Sequence, residues 1–222
     1  MLFAAGFGTR MGSLTAAHPK PLVQVAGRAL IDHALDQVLP FNPDTIVANL
    51  HYRPKQIKDH LSGLPVQFSL ETPEILETGG GLRAALPILG DDPVFTMNTD
   101  AVWRGPNALS ILAQAWQPDH MDALLLCIPP KNAVGHAGTG DFAVASDGTA
   151  QRGPGAVYSG LQIIKTDRLS QITNCAFSLN LLWDAMLRDS TLHAAIYPGH
   201  WCDVGTPEGI TLAETMLEQS NV

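Results

Sequence analysis

Three short apolar runs constrain this chain most: Thr45-Ile-Val-Ala-Asn-Leu50, Val94-Phe-Thr-Met97 and Ala123-Leu-Leu-Leu-Cys127. Each has the length of a strand and is apolar enough to be covered on both faces, the mark of a strand buried inside a parallel sheet. Between them, residues 30–39, 54–61, 82–86 and 108–116 repeat apolar positions at helical spacing. Alternation of this kind predicts an α/β fold, a three-layer α/β/α sandwich around a mainly parallel central sheet. Residues 2–5 read as the end of a further buried strand, opening into a glycine-bearing loop that reaches Pro21.

After Pro129 the pattern changes. Gly and Pro interrupt two predicted strands, 141–145 and 157–165, ahead of a helix at 178–187, and this half is expected to form a small lid. A strand at 192–197 then leads through Gly199-His-Trp-Cys-Asp203 to a last helix, for which Thr206 and Pro207 supply N-cap and N1 chemistry. With no repeat, low-complexity tract or linker, residues 1–222 are expected to form one domain, without an appended β-helix.

Composition excludes several classes of function. No apolar run approaches the roughly 18 residues of a membrane span, and no secretory leader is visible, so a cytoplasmic location is expected. Cys127, Cys175 and Cys202 are odd in number and lack C-x-x-C spacing, which fits reduced thiols better than a disulfide framework or structural zinc. A net charge of −8 without a Lys/Arg cluster argues against nucleic acid as a partner. An acidic chain that binds a small anion must concentrate positive charge locally or borrow it from a metal.

The segment Ala4-Ala5-Gly6-Phe7-Gly8-Thr9-Arg10-Met11, followed by Pro19-Lys20-Pro21, meets that requirement. Glycines after a strand let the backbone of Ala4, Ala5, Gly6, Gly8 and Thr9 approach phosphates. Arg10 suits a bidentate grasp of a β- or γ-phosphate, and Lys20 acts as a point charge on the reacting groups. A dinucleotide fingerprint would need Gly where Met11 stands, and a P-loop would need Gly-Lys-Ser/Thr, so neither pattern applies.

Asp100 ends an apolar strand at the carboxyl edge of the expected sheet, where ligands bind in open α/β folds. Asp203 enters another turn, and the fold could bring both carboxylates to one hard cation, best matched by Mg2+. Taken singly, Asp100 fits a turn cap and Asp203 a solvated side chain. His18, His136 and His200 lack metal-ligand spacing, and Cys202 has no identifiable base beside it.

Residues 2–22 resemble the signature L-A-A-G-x-G-T-R-M…P-K-P-L of the sugar-1-phosphate nucleotidyltransferases. Val25-Ala-Gly-Arg-Ala-Leu-Ile31, Glu77-Thr-Gly-Gly-Gly81, Asn98-Thr-Asp100, Gly140-Asp-Phe142 and Trp201-Cys-Asp-Val-Gly205 extend the likeness over nearly the whole chain, towards the small N-acetylmuramate 1-phosphate uridylyltransferases. Only Met1 to Phe3 precede the motif, where members of the family have a longer first strand. The resemblance implies a Rossmann-like nucleotide-diphospho-sugar transferase fold. It also implies Asp100 and Asp203 as magnesium ligands, Arg10 and Lys20 on the phosphates, Gly79 and Gly80 beside the nucleotide, and Asn98 and Asp141 on the sugar.

The partners implied are small molecules, a nucleoside triphosphate and a sugar 1-phosphate, joined by a monomeric enzyme with loss of pyrophosphate. Transfer to glucose or mannose 1-phosphate or to phosphocholine, and a non-catalytic sugar-nucleotide sensor, are the competing readings.

Overall fold

The computed structural model describes residues 1–90 and 93–219. Its central sheet has seven strands: β1 (Leu2–Phe3), β2 (Ile46–Leu50), β3 (Val66–Leu70), β4 (Val94–Asn98), β5 (Ala123–Ile128), β6 (Val157–Ile164) and β7 (Leu192–Ile196). Their spatial order is β7-β5-β6-β4-β1-β2-β3. β6 runs antiparallel to β4 and β5, and the other pairings of the sheet are parallel. Every residue of β2 and of β5 is buried, as apolar runs covered on both faces require.

Among the described residues six α-helices accompany the sheet: α1 (Leu30–Val38), α2 (Pro54–His60), α3 (Glu77–Leu89), α4 (Ala108–Ala115), α5 (Asn180–Arg188) and α6 (Pro207–Glu218). Because successive strand side chains point to opposite faces, the core divides in two. Ala48, Leu50, Leu124 and Leu126 pack with Ile31 and Leu35 of α1, Ile57 of α2 and Leu112 of α4. Val47, Leu125 and Cys127 pack with Leu82 of α3 and Trp183 of α5. This is the expected three-layer sandwich. A third cluster, including Met11, Val102, Cys202, Val204 and Met216, underlies the glycine loop and joins it to α6.

Two expectations change. The half expected to form a lid does not stay apart: β6 lies between β4 and β5, and β7 adds an edge. The reason is burial, since all but one residue of β6 is buried and only the sheet interior can supply that cover. Apart from the central sheet, this half forms a short hairpin, Phe142–Val144 with Ala150–Arg152, and gives Ala133–Val134 and His200–Asp203 to a three-stranded sheet completed by Ala101–Arg104. The helix expected at 82–86 begins at Glu77, so the triple glycine forms its first turn rather than a loop before it. Among the described residues no helix is long and apolar enough to cross a membrane.

Candidate functional site

The carboxyl ends of β1 and β4, neighbours at the middle of the sheet, open into the site. β1 delivers buried Ala4 and Ala5, then Gly6, where an added Cβ would meet nothing within 4 Å. Gly8 has φ +65°, which favours glycine, and an added Cβ would lie 2.7 Å from Lys20 Cβ. Thr15 Oγ1 donates to Gly8 O at 2.9 Å and closes the loop on itself. Lys20 follows on a short 3-10 turn, Lys20–Leu22, and is held mostly buried beneath the glycine loop.

β4 ends at Asn98, and Thr99 Oγ1 donates to Phe3 O at 2.8 Å, fixing the turn that carries Asp100. The next strand, Ala101–Arg104, pairs antiparallel with His200–Asp203 and places Asp203 opposite Ala101. Val204 N donates to Asp100 O at 2.8 Å. Two segments about a hundred residues apart thus deliver both carboxylates side by side.

Lys20 Nζ pairs with Asp100 Oδ2 at 2.7 Å, with side-chain exposures of 11% and 29%. Burial, and then the Asp100 charge, raise the Asp203 carboxyl above its ordinary value, opposed by Lys20, Arg10 and His136. An added Cβ at Gly205 would lie 2.8 Å from Asp203 Oδ2 and 3.0 Å from Arg10 Nη1, so this glycine keeps room for both side chains. Arg10, Lys20, Asp100 and Asp203 therefore share one electrostatic neighbourhood.

Two clefts meet there. The first, about 210 Å³, is lined by Ala4, Ala5, Gly6, Lys20, Thr78 and Asp100, among others. The second, about 340 Å³, is lined by Arg10, Asn98, Asp100, His136, Asp141 and Asp203, with Tyr158 and Trp201. Asn98 and Asp100 border both. Asp141 accepts from Tyr158 N at 2.8 Å through Oδ2.

Some expected assignments move. Arg10 borders the second cleft with Asp203, not the first cleft with Lys20, because the 3-10 segment Thr9–Thr15 carries it across towards Gly205. Gly8 and Thr9 line neither cleft. Gly79 and Gly80 were expected beside the nucleotide, but both N–H groups donate to Phe177 O, at 2.8 and 3.1 Å. An added Cβ would collide with the Phe177 ring at Gly79 and with Cys175 O at Gly80. Their small size answers to close packing of this chain against itself.

Cys202 is buried, and burial together with the Asp203 charge pushes its thiol up to about 11, away from the thiolate form. Sequence reasoning missed Asn49 and Glu71, buried polar residues that line the first cleft. Asn49 carried a signal, a polar residue within an apolar, fully buried strand.

A divalent cation fits the pair Asp100 and Asp203: both offer hard oxygen donors, and a cation would offset the Asp100 charge that adds to burial in raising Asp203. Among the described residues no group of three or more His, Cys, Asp or Glu is placed to hold a metal. Two carboxylates completed by substrate phosphates is a magnesium-like donor set.

Residues 1–137 match the model of the MobA-like NTP transferase domain. The chain is 36% identical to the N-acetylmuramate alpha-1-phosphate uridylyltransferase of Caulobacter vibrioides, with 99% of this chain and 97% of that protein covered. It is 31% identical to the enzyme of the same name from Neisseria meningitidis, covering 93% and 92%. A mannose-1-phosphate guanyltransferase from Gibberella zeae is 29% identical and covers 100% of this chain and 64% of that protein. The crystal structure of HddC from Yersinia pseudotuberculosis complexed with GMP-PN superposes with a TM-score of 0.77 at 20% identity, covering 97% of each chain, and so shares the fold. With the family model spanning more than half of the chain and two relatives above 30% identity over nearly all of it, the chain belongs to the MobA-like NTP transferase family.

Proposed function

We propose that this chain is a cytoplasmic, monomeric, single-domain uridylyltransferase that joins UTP to N-acetylmuramate 1-phosphate, giving a UDP-sugar and pyrophosphate. The observation that carries the reading is the meeting of two clefts at Asp100 and Asn98, with Lys20 on one side and Arg10 and Asp203 on the other. Each cleft suits one anionic substrate, and the shared wall is where two phosphates would meet. The names of the full-length relatives supply the choice of base and sugar.

The reaction is an in-line displacement. A phosphate oxygen of the sugar 1-phosphate bonds to the α-phosphorus of UTP, and the bond from that phosphorus to the bridging oxygen of the β-phosphate breaks. Pyrophosphate leaves with the electron pair. A phosphate monoester, with a second pKa of about 6, is already mostly dianionic at neutral pH, so no side chain has to remove a proton.

The task of the protein is to position two anions that repel each other. Lys20 offers its ammonium to the nucleotide cleft it lines, and Arg10 offers a forked guanidinium to the sugar cleft. The open backbone at Gly6 leaves room for the triphosphate. Asn98 and Asp141 present an amide and a carboxylate to sugar hydroxyl and N-acetyl groups. Asp100 and Asp203 would hold magnesium, which supplies charge neutralisation on the phosphates when bound.

The test is a matrix of four nucleoside triphosphates against several sugar 1-phosphates, scored by pyrophosphate release. The highest kcat/KM is expected for UTP with N-acetylmuramate 1-phosphate. Inactivity of every UTP combination would overturn the uridylyl assignment, and preference for GTP with mannose 1-phosphate would move the chain to the function named for its fungal relatives.

A further inference from the structure

The two walls of the nucleotide cleft are joined underneath by a buried polar bridge. Ala4 N, at the start of the glycine loop, donates to Asn49 Oδ1 at 2.8 Å. Asn49 Nδ2 donates to Glu71 Oε1 at 2.6 Å, and Glu71 Oε2 accepts from Leu76 N at 2.7 Å. Ala4 belongs to one wall, and Leu76 sits between Ile75 and Glu77 of the other. Asn49 is 3% exposed and Glu71 is 1% exposed.

Glu71 accepts through both carboxyl oxygens from uncharged N–H donors, so losing either bond would leave a buried polar atom unsatisfied. Gly81, the fifth residue of α3, makes the approach possible: an added Cβ would lie 2.5 Å from Glu71 Oε1 and 2.9 Å from Asn49 Nδ2. Three elements, β2, the end of β3 and α3, are thus shaped around one side-chain pair.

We propose that Asn49 and Glu71 are positioning residues for the nucleotide, their bridge fixing the separation between the glycine-loop wall and the wall at residues 75–78. The proposal deepens the transferase reading and rests on it for the identity of the ligand. The bridge has a direction. Ala4 N–H and Leu76 N–H both point inward, so the middle pair must present an acceptor at each end and one donor between them.

Glu71→Gln places amide hydrogens where Asn49 or Leu76 already donates, and one link is lost whichever way the amide turns. Asn49→Asp sets two carboxylates against each other. The double substitution Asn49→Asp/Glu71→Gln restores every link: the aspartate accepts from Ala4, the glutamine amide donates to it, and the glutamine oxygen accepts from Leu76.

The experiment measures KM for UTP and for the sugar 1-phosphate, kcat, the Kd for UTP by calorimetry, and the melting temperature, on the full chain. Each single substitution breaks one link of the bridge and is expected to raise KM and Kd for UTP about tenfold, with the sugar-phosphate KM within about twofold. The double substitution is expected to return both values to within about threefold of wild type.

Single variants that melt early yet keep the wild-type KM for UTP would reduce the bridge to a structural role and overturn the proposal. A double variant no better than the worse single, or unfolded, would overturn it as well. UTP binding needs no turnover, so Kd values that follow this pattern in a chain releasing no pyrophosphate would sustain the bridge while sinking the transferase reading. Failure of the wild type to bind UTP would remove both.

Discussion

Replacing Lys20 by Met tests the electrostatic design at its most buried cation. In the structure Lys20 Nζ lies 2.7 Å from Asp100 Oδ2, with 11% and 29% of the two side chains exposed. At an effective dielectric of about 20, two unit charges at that distance attract by about 6 kcal/mol before desolvation is counted. Measured losses run from under about 1 kcal/mol for exposed pairs to about 3–5 kcal/mol for buried ones. This pair lies between, so a loss of about 2 kcal/mol is expected, a fall in Tm of about 4–8 °C for a chain of this size.

Activity should fall further than stability, since a cation aimed at charge that develops in the transition state is worth about 10²–10³ in kcat. Lys20→Met/Asp100→Asn should regain most of the lost Tm, because neither charge is then left alone, yet remain inactive. The assays are thermal melting without ligand and steady-state pyrophosphate release. A Lys20→Met variant with an unchanged Tm and kcat within tenfold of wild type would refute the reasoning.

Gly79→Ala or Gly80→Ala should destabilise the chain by about 2 kcal/mol or more, because the new Cβ meets the Phe177 ring or Cys175 O, read by urea unfolding. Gly6→Ala should leave stability nearly untouched, as its Cβ would enter open space. At pH 8 a disulfide reagent should label Cys175 quickly and the other two thiols only on unfolding, because Cys127 and Cys202 are buried and burial pushes the Cys127 thiol up to about 12. Asp141→Ala should raise KM for the sugar 1-phosphate about tenfold, the loss of a charged hydrogen bond, and leave KM for UTP within about twofold.

The sheet was legible where strands are wholly buried. Residues 45–50 and 123–127 are apolar almost throughout, and β2 and β5 lie there with boundaries shifted by one residue. β3 carried no comparable signal, since Gln67 and Leu70 are exposed and Phe68 is half-buried at the edge of the sheet. The start of α3 was hidden by three successive glycines, which read locally as a turn, while Glu77 enters the helix at φ +59°.

Arg10, Lys20, Asp100 and Asp203 could be read from sequence because each brings charge that the site chemistry needs. Their division between two clefts could not, because it depends on the path of the segment Thr9–Thr15. The role of Gly79 and Gly80 was obscured for a similar reason: glycine records a close approach but not whether ligand or protein makes it. Here Cys175 and Phe177, nearly a hundred residues away, fill the space. Asn49 and Glu71 draw their importance from contacts between β2, β3 and α3 that no local pattern contains.

If two carboxylates and two cations gather both substrates at one point, Asp100→Ala should lose turnover even at saturating magnesium, UTP and sugar 1-phosphate. Its kcat is expected to be lower by at least about 10², in line with losing a group that organises transition-state charge. Wild-type turnover under those conditions would contradict it.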